Sequence, residues 1–152
     1  TALHDAALGG HEAVVLLLID HAADLSAKDN AGNTPLNYTA CEGLEATTRL
    51  LLERKADVAA TNNDGSTPLH DAACEAHFEV VSLLLEGSDL SAATKAGETP
   101  LHAAAFWGHE AVAWLLFGRG ADLESKSNDG KSPQEVATSR AHLQLAAMLK
   151  AE

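Results

Sequence analysis

Thr67-Pro68-Leu69-His70-Asp71-Ala72-Ala73-Cys74 is followed, 32 residues on, by Thr99-Pro100-Leu101-His102-Ala103-Ala104-Ala105-Phe106. The same opening stands at Thr34-Pro35-Leu36, at Ser132-Pro133 and, with Ala2 in place of proline, at Thr1-Ala2-Leu3-His4. The four prolines are spaced by 33, 32 and 33 residues. A period of this length marks one small unit stacked on copies of itself, each burying an apolar face it cannot bury alone.

Four rows align, 1–33, 34–66, 67–98 and 99–131, with a shorter row over 132–152. Each row predicts a short first helix. The hydroxyl residue can cap it, and the proline takes the first helical position, where a missing N–H costs nothing. The pairs Ala6-Ala7, Ala72-Ala73 and Ala104-Ala105 let neighbouring helices approach closely. A second helix is expected from near Gly10, Gly43, Ala76 and Gly108, dense in Val and Leu. Turns should follow, ending at Gly32, Gly65, Gly97 and Gly130, where positive φ favours glycine.

These residues resemble the ankyrin repeat family: Thr67-Pro68-Leu69-His70, Thr99-Pro100-Leu101-His102, Gly10-His11, Gly108-His109 and Gly120-Ala121-Asp122-Leu123. The resemblance runs the length of the chain. It implies an all-α solenoid of helix–loop–helix units with β-hairpin-like finger turns, curved so that first helices and fingers lie on the concave side. It also implies one repeat domain over 1–152, with 132–152 as its C-terminal cap. Because the chain opens in mid-repeat, we expect a fragment of a longer chain.

Row two departs most from the pattern. It carries Asn37 in the histidine slot, Thr47-Thr48 where other rows have Val14-Val15 or Val80-Val81, and Lys55 in a slot that favours glycine. Row three is one residue short around Glu86–Asp89. Such irregularity reads as a natural sequence rather than an idealised design. It marks row two as the weakest unit.

Composition narrows the function. The 152 residues are 46% hydrophobic but only 4% aromatic, and the net charge is −12. An acidic chain repels phosphate backbones, so no nucleic acid partner is expected. No apolar run is long enough to cross a bilayer, so no membrane partner is expected either. Cys41 and Cys74 share one slot of adjacent rows. Stacked helices sit roughly 8–10 Å apart, beyond the roughly 7 Å that a disulfide spans. Free thiols are expected, and with them an intracellular location, cytoplasmic or nuclear.

Seven of the eight histidines fall into two repeat slots: His4, His70 and His102, then His11, His77, His109 and His142. The resemblance gives these slots structural roles. His70, Cys74 and His77 have ligand-like spacing but no evident fourth ligand. We therefore expect no metal, no cofactor and no catalytic residue.

Phe106 and Trp107 occupy a pair of slots that varies freely among rows, which packing therefore does not dictate. By resemblance the pair faces the groove, and large aromatics there are typical anchors of a protein interface. Phe106 packing against the next row is the other reading for that residue. Tyr38 sits near the same face, and Asp5, Glu42, Asp71, Glu75 and Glu98 suggest an acidic strip beside it. Tyr38, Asp71, Glu75, Phe106 and Trp107 are thus the candidate partner-binding residues, and a basic protein segment the expected partner. The alternative is an architectural module stacked within a larger polypeptide or complex. Trp114, on a second helix, is either a further contact point or is covered by row five. The second helix of row one, Val14 to Ile19, is apolar on nearly all sides and should be covered by something. The sequence leaves the oligomeric state open.

Overall fold

The computed structural model describes residues 1–150. Among the described residues there are ten helices and no strand: α1 (Ala2–Leu8), α2 (Glu12–Asp20), α3 (Pro35–Cys41), α4 (Glu45–Glu53), α5 (Pro68–Cys74), α6 (Phe78–Leu84), α7 (Pro100–Trp107), α8 (Glu110–Gly118), α9 (Pro133–Ser139) and α10 (Leu143–Met148). They form five antiparallel pairs in sequence order.

The N-termini of the first helices explain the Thr-Pro-Leu-His motif. In α5 the Nδ1 of His70 accepts from the Thr67 N–H at 3.2 Å and pairs with the Thr67 hydroxyl at 2.8 Å. Its Nε2 donates to the Glu98 carbonyl of the following finger at 3.0 Å. His102 repeats this with Thr99 and the Lys131 carbonyl, and His4 with Thr1 and the Asn33 carbonyl. One side chain thus closes a capping box and ties the helix to the finger behind it. At the C-terminal ends, His77, His109 and His142 donate to the carbonyls of Cys41, Cys74 and Phe106 in the preceding pair. Those carbonyls have no partner within their own helix. Among the described residues the ring of His11 makes no hydrogen bond.

The fingers turn where the glycines stand. Gly32, Gly65, Gly97 and Gly130 all have positive φ. Each finger closes two backbone bonds at its turn, such as Gly32 N–H to the Asp29 carbonyl and Asp29 N–H to the Asn33 carbonyl, both 3.0 Å, too few for a strand pair. Successive fingers are laddered by Asn63 N–H to Ala31, Lys95 N–H to Asp64 and Asn128 N–H to Ala96, each 2.8 Å. At Gly32 a Cβ would lie 2.5 Å from the Asn63 Oδ1, so close approach demands glycine there as well as φ.

The core runs the length of the stack. Leu36, Leu69 and Leu101 of the first helices and Leu51, Leu84 and Leu116 of the second are fully buried, with Ala7, Ala40, Ala73 and Ala105 between them. Alanine at these positions brings the first helices close together. The first helices pack on one another more tightly than the second helices do, and this curves the stack toward α1, α3, α5, α7 and α9.

The irregular rows show their cost locally. Lys55 has φ 69° and Ala22 φ 63°. Thr48, in the slot of Val15 and Val81, is fully buried with its hydroxyl unpaired. The missing residue of row three ends α6 early, and Gly87 turns the chain at φ 105°. Ser88 then falls in the slot of Ala56 and Ala121, and its hydroxyl too is buried without a partner. The buried, unpaired hydroxyls thus fall one in row two, expected to be the weakest unit, and one in the shortened row three.

Candidate concave-face binding site

Four of the candidate residues, Tyr38, Asp71, Phe106 and Trp107, line hollows between the first helices and the fingers. Asp71 is one turn into α5, where burial and chemistry conflict. Its carboxylate accepts a 2.7 Å hydrogen bond from the Asn37 Nδ2 of α3. Among the described residues this is its only hydrogen bond, and no Lys or Arg pairs with it. Burial pushes its pKa up from 3.8 to about 6, the Asn37 bond opposes the rise, and Glu75 adds to it.

Asn37 explains that contact. Like the histidines, it closes the capping box: its Oδ1 accepts from the Thr34 N–H at 3.0 Å and the Thr34 hydroxyl at 2.8 Å. Its amide then donates to Asp71 rather than to a finger carbonyl. The substitution in row two therefore ties row two to the groove of row three. No signal in the sequence pointed to this pairing, because the partners are 34 residues apart.

Trp107 ends α7 and is 52% exposed. Its side chain lines the same hollow as Cys74. Phe106 meets it edge to face, with centroids 5.1 Å apart at 74°. Phe106 itself is half-buried against the core and covered by the Arg140 guanidinium of the next pair, 3.8 Å from the ring centroid. A hollow of about 410 Å³ lies between α5, α7 and two fingers, lined by His70, Asp71, Cys74, Glu98, Phe106 and Trp107 among others. A smaller one of about 180 Å³ lies on the α3 side of Asp71, lined by Tyr38, Asn37 and Cys41. Asp71 borders both.

Tyr38 is more constrained than an open anchor. Its hydroxyl donates to the Asp29 Oδ2 at 2.6 Å, and its ring sits edge-on to His4 at 5.8 Å. The bond to Asp29 raises its pKa. Glu75 is exposed at the C-terminal end of α5. Asp71, Phe106 and Trp107 are thus gathered around one hollow. Tyr38 stands at the neighbouring one, and Glu75, exposed one turn after Asp71, lines neither.

The imidazoles of His70 and His102 are buried, and burial lowers the pKa of each. With Nδ1 accepting and Nε2 donating, each is a neutral ring fully occupied by structure. Among the described residues no three His, Cys, Asp or Glu side chains gather as a ligand set. Cys41 and Cys74 are free, and burial pushes the Cys41 thiol up to about 11. Trp114 is 54% exposed on the outer side of α8, its ring tilted against Phe117 at 5.6 Å, and α10 does not cover it. Val14 and Leu17 of α2 are exposed as well. Among the described residues no helix is long and apolar enough to cross a membrane.

A family model for ankyrin repeats, spanning three copies, matches residues 1–62 and 55–127. The chain belongs to the ankyrin repeat family. Members of this family are generally protein–protein interaction modules and are typically non-enzymatic. No curated protein matches the chain significantly.

Proposed function

We propose that this chain is a non-enzymatic module that binds a segment of another protein along its concave face, through Trp107, Phe106, Asp71, Glu75 and Tyr38. The observation that carries the reading is Trp107: a large aromatic, more than half exposed, at the end of an inner helix beside an acidic hollow. Packing gives no reason for an indole there. Exposed aromatics dominate binding energy once a partner desolvates them.

The partner segment is basic. The chain carries a net charge of −12, and Asp71 and Glu98 line the hollow together with the aromatic pair. Such charge speeds encounter with a cationic partner and repels nucleic acid and anionic membrane surfaces. α9 opens a more polar row, with Gln134 where other rows carry leucine and Glu135 where they carry histidine or, in row two, asparagine, as a capping row needs.

Exposed Val14 and Leu17 favour a second reading, in which the α2 face packs against another structured element of a larger assembly. Cross-linking mass spectrometry on a captured partner separates the two. The first reading expects cross-links clustering near Lys95 and Lys131 on the finger side and loss of capture with Trp107→Ala. Cross-links confined to the amino-terminal α1–α2 pair, with capture unaffected by Trp107→Ala, would reject it.

A further inference from the structure

We infer that the hollow between α5 and α7 is a receptor for one arginine side chain of the partner segment, its guanidinium paired with Asp71 and laid against the Trp107 ring. This deepens the concave-face reading and rests on it.

The argument starts from Asp71. A half-buried carboxylate with a single neutral hydrogen bond is incompletely satisfied, since an ionised carboxylate offers about four acceptor sites. Asn37 takes one on Oδ2. The protein's own ion pairs lie elsewhere: Arg49–Glu45, Arg54–Asp20 and Lys126–Glu135. The charged and titratable groups around Asp71 offer no cation. α3 presents Tyr38 and Cys41, and α5 presents His70, Cys74 and Glu75. α7 presents none, and the finger presents Glu98. His70 is occupied at both nitrogens and stays neutral. The hollow is therefore negative, partly dry and walled on one side by an aromatic face.

Among cations, guanidinium fits those conditions best. It is planar, stacks on aromatic rings and is more weakly hydrated than an ammonium, so it enters a half-buried site at lower cost. Its several N–H donors can reach Asp71 while the plane lies on Trp107. The molecule already makes this pairing once, with Arg140 over Phe106 at 3.8 Å. That contact takes up Phe106 and leaves Trp107 as the open ring.

The test uses N-acetyl-arginine methylamide as probe, titrated into the isotope-labelled chain and followed by NMR. Saturable shifts are expected at the Trp107 indole N–H and at the backbone amides of Asp71 and Cys74. Affinity should fall about tenfold in Asp71→Asn and in Trp107→Ala, the loss of one charge-assisted contact or one stacked face. Asp71→Asn keeps an acceptor for Asn37, and Trp107 is exposed, so both variants should fold. Circular dichroism checks this. The lysine analogue should bind several-fold more weakly, and the neutral norleucine analogue should not saturate. An unchanged affinity in Asp71→Asn, shifts mapping away from α5 and α7, or a lysine analogue binding as tightly as arginine would each overturn the inference. If the probe fails while capture of a partner still depends on Trp107, the arginine receptor is wrong and the groove reading stands. If the probe binds at Asp71 while capture ignores Trp107, the receptor stands and the groove reading falls.

Discussion

At the scale of single residues, this chain carries correctable defects as well as anchors. Lys55 holds φ 69°, a conformation that costs a non-glycine residue about 1 kcal/mol. Lys55→Gly should raise the midpoint of urea denaturation by that order. Thr48→Val and Ser88→Ala each remove a buried, unpaired hydroxyl, and each should stabilise by about 1 kcal/mol or more. A loss of stability in either would mean that its hydroxyl finds a partner in solution. Asp71 has a pH signature. Its folded pKa, about 6, exceeds its ordinary 3.8, so between these values the native state holds a proton that the unfolded chain has released. Its contribution to stability therefore falls as pH rises from about 4 to about 6, and the penalty persists above that. Asp71→Asn should be close to neutral near pH 4 and stabilising by about 1–2 kcal/mol near pH 7.5, less than the full shift because groove water screens the site. Equal effects at both pH values would refute the buried-charge account.

At the scale of elements, the histidines act as rivets between helix and finger. Row two supplies a natural comparison, because Asn37 keeps the capping box and gives up the finger carbonyl. His70→Asn should therefore cost only about 1 kcal/mol, one hydrogen bond. His70→Ala opens the cap as well and should cost about 2–3 kcal/mol. Equal losses would show that the finger bond carries the whole effect. Burial lowers the pKa of His70 and His102 in the fold. Between that lowered value and 6.5 the unfolded chain binds more protons, so their contribution is complete above 6.5 and is lost as pH falls below it. This trend opposes that of Asp71, and comparing each variant with the parent chain separates them.

At the scale of the whole molecule, curvature brings α5, α7 and the fingers around one acidic hollow. In the proposed site two physically different contributions to binding would meet there. Trp107→Ala should weaken partner binding by about 2 kcal/mol at any ionic strength, because it removes desolvated apolar surface. Glu75→Ala should matter mainly at low salt, because an exposed charge is screened beyond a Debye length of about 8–10 Å. Binding measured across a salt series for both variants checks this. A Trp107→Ala effect that vanishes with salt, or a Glu75→Ala effect that does not, would reverse the assignment of anchor and steering charge.

The sequence by itself determined the architecture. A period of 33 residues, a cap and a proline at each first helix, and glycine at each finger are local signals. Each acts within a few residues, so each survives being read in one dimension. The slots of Trp107, Asp71 and Lys55 were legible for the same reason, by comparison between rows. Only the tertiary structure decided who meets whom across rows. It gave Asn37 to Asp71, Arg140 to Phe106 and Asp29 to Tyr38. It also left Trp114 uncovered and stranded the hydroxyls of Thr48 and Ser88. These outcomes depend on side-chain reach between neighbouring units. That reach is set by how closely the alanine-rich first helices pack and by the curve that results, which no spacing along the chain encodes.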